Sequence, residues 1–180
     1  MDSKSRNDIS DLFVRMPERR WGFLQTRPRH EKQALSDLTA QGLIVYLPLI
    51  TKVEMHNRGK RERQLPMFQG YLFACPSLVE EPVIRHNKYV WNFRKLSEGD
   101  EESLIKDLKI VRECELLSAK HKLIVNPQLK VGDTVVMKTG PFKGLEVIVL
   151  RRKNESTVIV NLMFFGRSIE IQCNADDLTY

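Results

Sequence analysis

Apolar and polar positions alternate along the first two thirds of the chain in blocks short enough for single strands and helices. The aromatic-rich run Trp21–Thr26 predicts a strand. Ala34, Leu35 and Leu38 recur at the spacing of one helix face. In chain order the pattern predicts strand 21–26, helix 28–41, strand 43–50, hairpin 51–65, strand 70–75, strand 90–95 and helix 100–117. This order indicates an α+β fold, in which helices pack on an antiparallel sheet.

The character of the chain changes at Leu129, after which short runs rich in Val and Ile are separated by turn residues. These runs predict strands 131–137, 145–150, 157–162 and 168–173. Strands this short have many edges to hide, and closing the sheet on itself hides them. The C-terminal part is therefore expected to be a small all-β barrel of the SH3-like kind.

The same pattern predicts how the chain divides into domains. Residues 1–19 mix charges of both signs and are expected to form a mobile N-terminal arm, in which Ile9, Leu12 and Phe13 can dock locally. Residues 20–117 are expected to form the α+β domain and residues 129–180 the β domain. Residues 118–128 contain a proline and few structural signals, so they are expected to be a linker.

Charge adds the first hint about function. The net charge is +6, but it is unevenly distributed along the chain. Residues 1–95 hold 17 Lys and Arg against 10 Asp and Glu, a surplus of 7, whereas residues 96–180 hold 12 against 13. A basic N-terminal half favours contact with a polyanion such as nucleic acid, although a basic surface that merely aids solubility is an equal alternative.

Several classes of protein are disfavoured by the composition. No apolar run is long enough to span a membrane, and the N-terminus lacks the apolar core of a signal peptide, so a cytoplasmic protein without a membrane partner is expected. Cys75, Cys114 and Cys173 are widely spaced, and the four histidines show no zinc-ligand spacing. No acid, base and nucleophile converge in a recognisable pattern. We expect a monomeric protein that is not an enzyme and that needs no metal or other cofactor.

Two motifs resemble one known family. Residues 66–73 (PMFQGYLF) resemble the P-L-F-P-G-Y-L-F strand of the NusG N-terminal domain, and residues 131–135 with 140–144 (GPFKG) resemble a KOW motif. The turn at 164–168 (FFGRS) is similar to the last hairpin of the NusG KOW domain. The resemblance implies an N-terminal domain of the NusG type followed by a KOW barrel. Gln69 and Val147 depart from the housekeeping pattern and favour a specialised antitermination paralogue, of the RfaH or UpxY groups.

The resemblance implies that the N-terminal domain binds the clamp helices of the RNA polymerase largest subunit. The matching aromatic residues are Phe68, Tyr71, Phe73, Trp91 and Phe93. Tyr71 and Phe73 share one face of a strand, so they would form an aromatic patch if helices of the domain leave that face open. The alternative is that both rings pack against the first helix.

The resemblance also implies contact with the non-template DNA strand or nascent nucleic acid. The candidate residues lie near the N-terminus of the first helix and on the hairpin tip: Arg27, Arg29, His30, Lys32, Arg58, Lys60, Arg61 and Arg63. A helix N-terminus adds its own attraction for phosphate. The alternative for the hairpin is a charged tip that is simply solvated.

The resemblance implies a separate partner for the KOW domain, a small-subunit ribosomal protein or Rho, contacted through Phe164 and Phe165. Because adjacent strand residues point to opposite faces, one ring is expected in the core and the other, Phe165, at the contact. Two broader alternatives remain: a housekeeping NusG-like factor, and a KOW protein that binds RNA or ribosomes without binding polymerase.

Overall fold

The computed structural model describes residues 10–56, 59–118, 121–127, 133–137, 143–152, 155–162 and 164–174. The chain forms two compact units, one from Met1–Leu49 with Pro66–Lys109 and the other from Ile50–Leu65 with Ile110–Tyr180. The helices are α1 Glu31–Ala40, α2 Glu81–Arg85 and α3 Glu98–Leu117. The strands are β1 Gly22–Thr26, β2 Val45–Tyr46, β3 Leu49–His56, β4 Gly59–Pro66, β5 Tyr71–Ala74, β6 Val90–Lys95, β7 Lys122–Pro127, β8 Asp133–Val136, β9 Glu146–Arg152, β10 Glu155–Leu162 and β11 Arg167–Asn174.

The first unit is built on a four-stranded antiparallel sheet with strand order β2-β5-β1-β6. Leu24 lies opposite Leu72 on β5 and opposite Phe93 on β6. These three side chains form a core with Ala34 and Leu38 of α1, Ile84 of α2 and three further buried residues. We call this side of the sheet the helix face. The prediction of an α+β N-terminal domain is confirmed.

Helix α1 begins later than the sequence predicts. The sequence suggested a start at Pro28, but residues 28 and 29 form a turn and the helix begins at Glu31. The cause is Arg29, whose φ of 63° lies in the left-handed region that a right-handed helix cannot include. The turn leaves Arg29 exposed just before the helix.

Residues 10–20 pack onto the first unit. Phe13 is fully buried and its ring lies 5.5 Å from Trp21 and 5.0 Å from Tyr46. Arg19 forms a two-bonded ion pair with Glu80, with nitrogen–oxygen distances of 2.6 and 2.8 Å. Burial of the Phe13 ring and the ion pair of Arg19 hold residues 10–19 in place, as the expected local docking of Phe13 requires. Residues 1–9 of the predicted arm lie outside the described residues.

The predicted strand 43–50 is divided in two. Its first part is the short edge strand β2, and its second part begins β3 after Leu47 and Pro48. Pro48 cannot donate a ladder hydrogen bond, so the change of sheet occurs there. Strands β3 and β4 form the predicted hairpin as a separate two-stranded sheet.

The second unit contains a five-stranded antiparallel sheet with order β7-β11-β10-β9-β8. The predicted all-β character is confirmed. The predicted linker is wrong in one respect: β7 lies within residues 118–128 and pairs with β11, with Val125 opposite Ile169. Among the described residues the pairing runs from β7 to β8, and these two end strands are not paired with each other.

None of the described helices is both long and apolar enough to cross a membrane. No group of three or more His, Cys, Asp and Glu among the residues that the structure describes is arranged to hold a metal ion.

Candidate functional site

The side of the first sheet opposite the helix face carries most of its aromatic residues. Phe23 lies opposite Phe73, Gln25 lies opposite Tyr71, and Tyr46 lies opposite Phe73. Residues directly opposite each other in an antiparallel pair point to the same side. Tyr71 and Phe73 therefore share the face that α1 does not cover, and packing of both rings against the first helix is wrong. We call this side the aromatic face.

The aromatic face has a buried part. Phe73 is fully buried and Phe68 is 7% exposed. The Phe68 and Phe73 rings meet edge to face at 6.2 Å, and Phe73 also lies 6.4 Å from Tyr46. Tyr46 in turn contacts Phe13 of the N-terminal segment. Two of the predicted polymerase contacts, Phe68 and Phe73, are therefore buried against other aromatic rings.

The aromatic face also has a part that remains accessible. Phe23 and Tyr71 are half-buried, with ring centroids 6.0 Å apart. The Arg94 guanidinium lies 5.9 Å from the centre of the Phe23 ring, within the range of a cation–π contact. The side-chain amide of Gln25 donates to the Tyr71 hydroxyl at 3.3 Å. We call Phe23, Gln25, Tyr71 and Arg94 the open aromatic patch.

Sequence reasoning did not select Phe23, although a signal was present. Phe23 follows Trp21 by two residues in the predicted strand 21–26. The pairing of this strand with β5 places Phe23 beside Tyr71. A single sequence predicts the strands but not the register in which they pair. The residue beside Tyr71 could therefore not be identified from the sequence.

The two candidates on β6 have different surroundings. Trp91 is 77% exposed and lies where the register between β1 and β6 shifts. Phe93 is 4% exposed and packs in the core of the helix face, with the Arg85 guanidinium 5.6 Å from its ring centre. Phe93, a predicted polymerase contact, is therefore a core residue, enclosed by α2 and the helix face on the opposite side of the sheet from Tyr71.

The structure brings the basic residues before and within the start of α1 into one patch. Arg27, Arg29 and Lys32 are exposed, and His30 is half-buried. The His30 ring stacks on Tyr89 at 5.5 Å with an interplanar angle of 24°. Lys88, which was not predicted, places its ammonium 4.9 Å from the Tyr89 ring centre. The patch thus combines cations with a stacked pair of flat rings, the two elements that single-stranded nucleic acid contacts.

An acidic residue at the same helix end faces inward. Glu31 is the first residue of α1 and is 7% exposed. Its carboxylate accepts a hydrogen bond from the backbone N–H of Gly70 at 2.8 Å. The negative charge is therefore directed at the PMFQGYLF segment and away from the solvent that the basic residues face.

The second basic candidate is the β3–β4 hairpin. Arg58 and the side chain of Lys60 lie outside what the structure describes. Arg61 is exposed. Arg63 lies 3.8 Å from Glu54, and Lys52 lies 3.4 Å from the same carboxylate. Two described cations of the hairpin are thus partly neutralised. The hairpin belongs mainly to the second unit and the α1 patch to the first.

The Phe164–Phe165 pair lies in a turn between β10 and β11. Both rings are half-buried, and they meet edge to face at 5.3 Å. The expectation of one core ring and one exposed ring is wrong, because alternation of faces applies to strands and these residues lie in the turn at 164–166. In the KOW-like segment, Gly132, Gly140 and Phe142 lie outside the described residues, whereas Gly144 takes a φ of 83°.

The two cysteines whose side chains the structure describes, Cys75 and Cys114, are poor nucleophiles. Burial raises the pKa of Cys75 to about 12, with the nearby Glu101 carboxylate adding to the effect. Burial also raises the pKa of Cys114. Both thiols therefore stay protonated near neutral pH, and a thiol nucleophile requires the thiolate form.

Comparison with known proteins identifies the class. Residues 19–115 match a family model described as "Transcription termination factor nusG", which places the chain among transcription factors. Because this match covers more than half of the chain, the protein belongs to the NusG family. Membership of this family of transcription factors agrees with the expectation that the chain is not an enzyme.

Two solved structures are similar to the chain at low identity. One is titled "Domain interaction in Thermotoga maritima NusG", with 20% identity over 87% of this chain and 93% of that chain and a TM-score of 0.49. The other is titled "Crystal Structure of MjSpt4:Spt5 complex conformation A", with 19% identity over 77% of this chain and 83% of that chain and a TM-score of 0.25. No curated protein matches the chain.

Proposed function

We propose that this protein regulates transcription elongation by binding the clamp helices of the RNA polymerase largest subunit through the open aromatic patch. The observation that carries the proposal is the half-buried pair Phe23 and Tyr71, on the side of the sheet that α1 does not cover. Flat apolar rings with a polar rim, here Gln25 and Arg94, suit a helical partner. Phe73 lies opposite Phe23 in the sheet and packs against Phe68. The exposed Trp91 is a further candidate contact.

Nucleic acid is the second proposed ligand of the first unit. Arg27, Arg29 and Lys32 supply charge for the phosphates, and the stacked His30 and Tyr89 rings supply a surface for a base. Because these residues stand before and at the start of α1, backbone N–H groups add to the attraction for phosphate. Either the non-template DNA strand or nascent RNA would meet these requirements. Arg58, Lys60, Arg61 and Arg63 of the hairpin form a second proposed contact.

The C-terminal unit is proposed to act as a KOW domain over residues 129–180, with the N-terminal domain at 20–117. Its β-rich sheet suits a small barrel, and the half-buried Phe164 and Phe165 rings offer a contact for a small-subunit ribosomal protein or Rho. The departures at Gln69 and Val147 favour a specialised antitermination factor over a housekeeping one. In this proposal the protein works as a cytoplasmic monomer without a cofactor.

A binding titration tests the proposal. We expect Tyr71→Ala and Phe23→Ala to weaken binding of the full chain to RNA polymerase by about tenfold or more, as loss of a central aromatic contact does. Val79→Ala is the matched control, since Val79 is 84% exposed on the same unit and lies outside the patch. Binding of both patch variants at the strength of the unaltered chain would contradict the proposal. Binding to ribosomes but not to polymerase would favour the KOW-module alternative.

A further inference from the structure

The turn that precedes β5 is held at its glycine from two sides. Gly70 adopts a φ of 80°, and its carbonyl oxygen accepts a hydrogen bond from the Thr26 N–H at 2.9 Å. Its N–H donates to the Glu31 carboxylate at 2.8 Å. The Tyr71 N–H closes the turn by donating to the Phe68 carbonyl at 3.2 Å. The backbone at Gly70, directly before Tyr71, is thus held by hydrogen bonds to the end of β1 and to the start of α1.

Glu31 reaches this turn against its ordinary preference. A carboxylate in the first turn of a helix is stable in solvent, where it already interacts favourably with the helix dipole. Glu31 is instead 7% exposed, while Arg29 and Lys32 beside it are exposed. Burying a carboxylate is costly unless it is hydrogen-bonded, and the Gly70 N–H supplies a charge-assisted hydrogen bond. The hydrogen bond to Gly70 therefore stabilises the buried orientation of the Glu31 side chain.

We propose that Glu31 is a positioning residue for polymerase binding: it fixes the Phe68–Tyr71 turn and thereby sets the Tyr71 ring in the open aromatic patch. The inference rests on the proposed function for its binding consequence. Glu31 does not itself belong to the patch, since it begins the helix on the other side of the sheet. It acts through the Gly70 N–H, which is next in sequence to Tyr71.

The reach of the side chain and its charge can be separated by substitution. Glu31→Gln keeps a carbonyl-type oxygen at the same distance but removes the charge. Glu31→Asp keeps the charge but is one methylene shorter, so its oxygen cannot reach Gly70 without movement of the backbone. Positioning through the hydrogen bond predicts that the Gln variant works and that the Asp variant fails. A purely electrostatic role at the helix start predicts the reverse.

The test combines a binding measurement with a local signature in the full chain. We expect polymerase affinity to fall about tenfold in Glu31→Asp and Glu31→Ala and to stay within about twofold in Glu31→Gln. Amide hydrogen exchange at Gly70 and Tyr71 is expected to accelerate at least tenfold in the Asp and Ala variants and not in the Gln variant. Gln33→Ala, at an exposed position in the same helical turn, is the control and should change neither measurement.

Each outcome decides the inference. Unaltered affinity and exchange in Glu31→Asp, or loss of both in Glu31→Gln, would overturn it. If Glu31→Ala fails to fold, the Asp and Gln variants carry the comparison. If the unaltered chain does not bind polymerase, the proposed function fails, and the exchange rates at Gly70 and Tyr71 still decide whether Glu31 positions the turn.

Discussion

At the scale of single residues, Arg29 shows a conflict between backbone preference and charge. A side chain with a Cβ is disfavoured in the left-handed region, whereas glycine adopts it freely, yet this position carries an exposed arginine with a φ of 63°. Retaining a cation at a strained position is expected where the cation has a use. In the proposed function that use is a phosphate contact.

Arg29→Gly should therefore change stability and binding in opposite directions. We expect the free energy of unfolding to rise by about 0.5–1 kcal/mol, because the strain is relieved. The affinity for single-stranded nucleic acid should fall. The slope of log affinity against log salt concentration, which is negative, should become shallower by about 0.7–0.9 units. Denaturant unfolding and a salt titration of oligonucleotide binding measure the two effects.

Arg27→Ala provides the comparison for this prediction. Arg27 is exposed, and it is not among the described residues with a positive φ. Its removal should therefore make the salt dependence of binding shallower without raising stability. A stabilised Arg29→Gly variant that binds nucleic acid with an unchanged salt slope would show that Arg29 has no phosphate contact.

At the scale of secondary-structure elements, Gly22 allows β1 and β6 to approach closely. A Cβ at this position would lie 2.5 Å from the Arg94 carbonyl oxygen and 2.9 Å from the Phe93 ring. The nearer atom belongs to the backbone, so it cannot move aside without shifting β6. Overpacking of this kind costs about 1–3 kcal/mol.

We expect Gly22→Ala to lower the free energy of unfolding by about 1–3 kcal/mol and to weaken polymerase binding, because Arg94 belongs to the open aromatic patch. Gly99→Ala is the matched control, since a Cβ at Gly99 meets no atom within 4 Å. Equal stability of the two alanine variants in urea would contradict the close approach of the strands.

The turn before α2 offers a test that depends on pH. Burial alone raises the pKa of Glu80, but hydrogen bonds from the Arg19 guanidinium and the Ser77 N–H, together with the charge of Arg19, lower that pKa below its ordinary value of 4.5. A lowered folded-state pKa means that the stabilisation is present above the ordinary pKa and is lost as the pH falls through the folded-state value.

Glu80→Gln should thus be less stable than the unaltered chain at pH 7, by about 1–2 kcal/mol. The difference should shrink as the pH falls below the ordinary pKa of 4.5 and through the lower folded-state pKa of Glu80. Urea unfolding at pH 7 and at a pH below 4.5 measures this difference. Glu102→Gln is the control, because Glu102 pairs with Lys106 at the exposed surface. A difference that is the same at both pH values would refute the assigned role of the Arg19–Glu80 pair.

Helices and strands could be predicted from the sequence where they depend on a local pattern of residues. Tertiary contacts between side chains could not be predicted in this way. The strand containing Tyr71 and the shared direction of Tyr71 and Phe73 follow from alternation alone. Burial of Phe73 depends on Phe68 and on Tyr46, which itself contacts Phe13. Tyr46 and Phe13 are distant in the chain and are brought together by tertiary packing. Strand β7 was missed for a similar reason, because it is defined by its pairing with β11.

At the scale of the whole molecule, the chain combines an α+β unit of the NusG family with a β-rich unit. The uneven charge seen in the sequence has a structural counterpart in the first unit, where basic residues gather before and at the start of α1. In the proposed function one side of the sheet carries the polymerase contact and the start of α1 carries the nucleic-acid contact. Gly70, held by Thr26 and Glu31, connects the two regions.

In the proposed function, polymerase binds the open aromatic patch. Amide hydrogen exchange of the full chain, measured with and without RNA polymerase, tests it most directly. We expect slower exchange in β1 and β5, around Phe23 and Tyr71, with no change at the exposed turn containing Leu78 and Val79. Protection confined to that turn or to the helix face, with β1 and β5 unaffected, would contradict it.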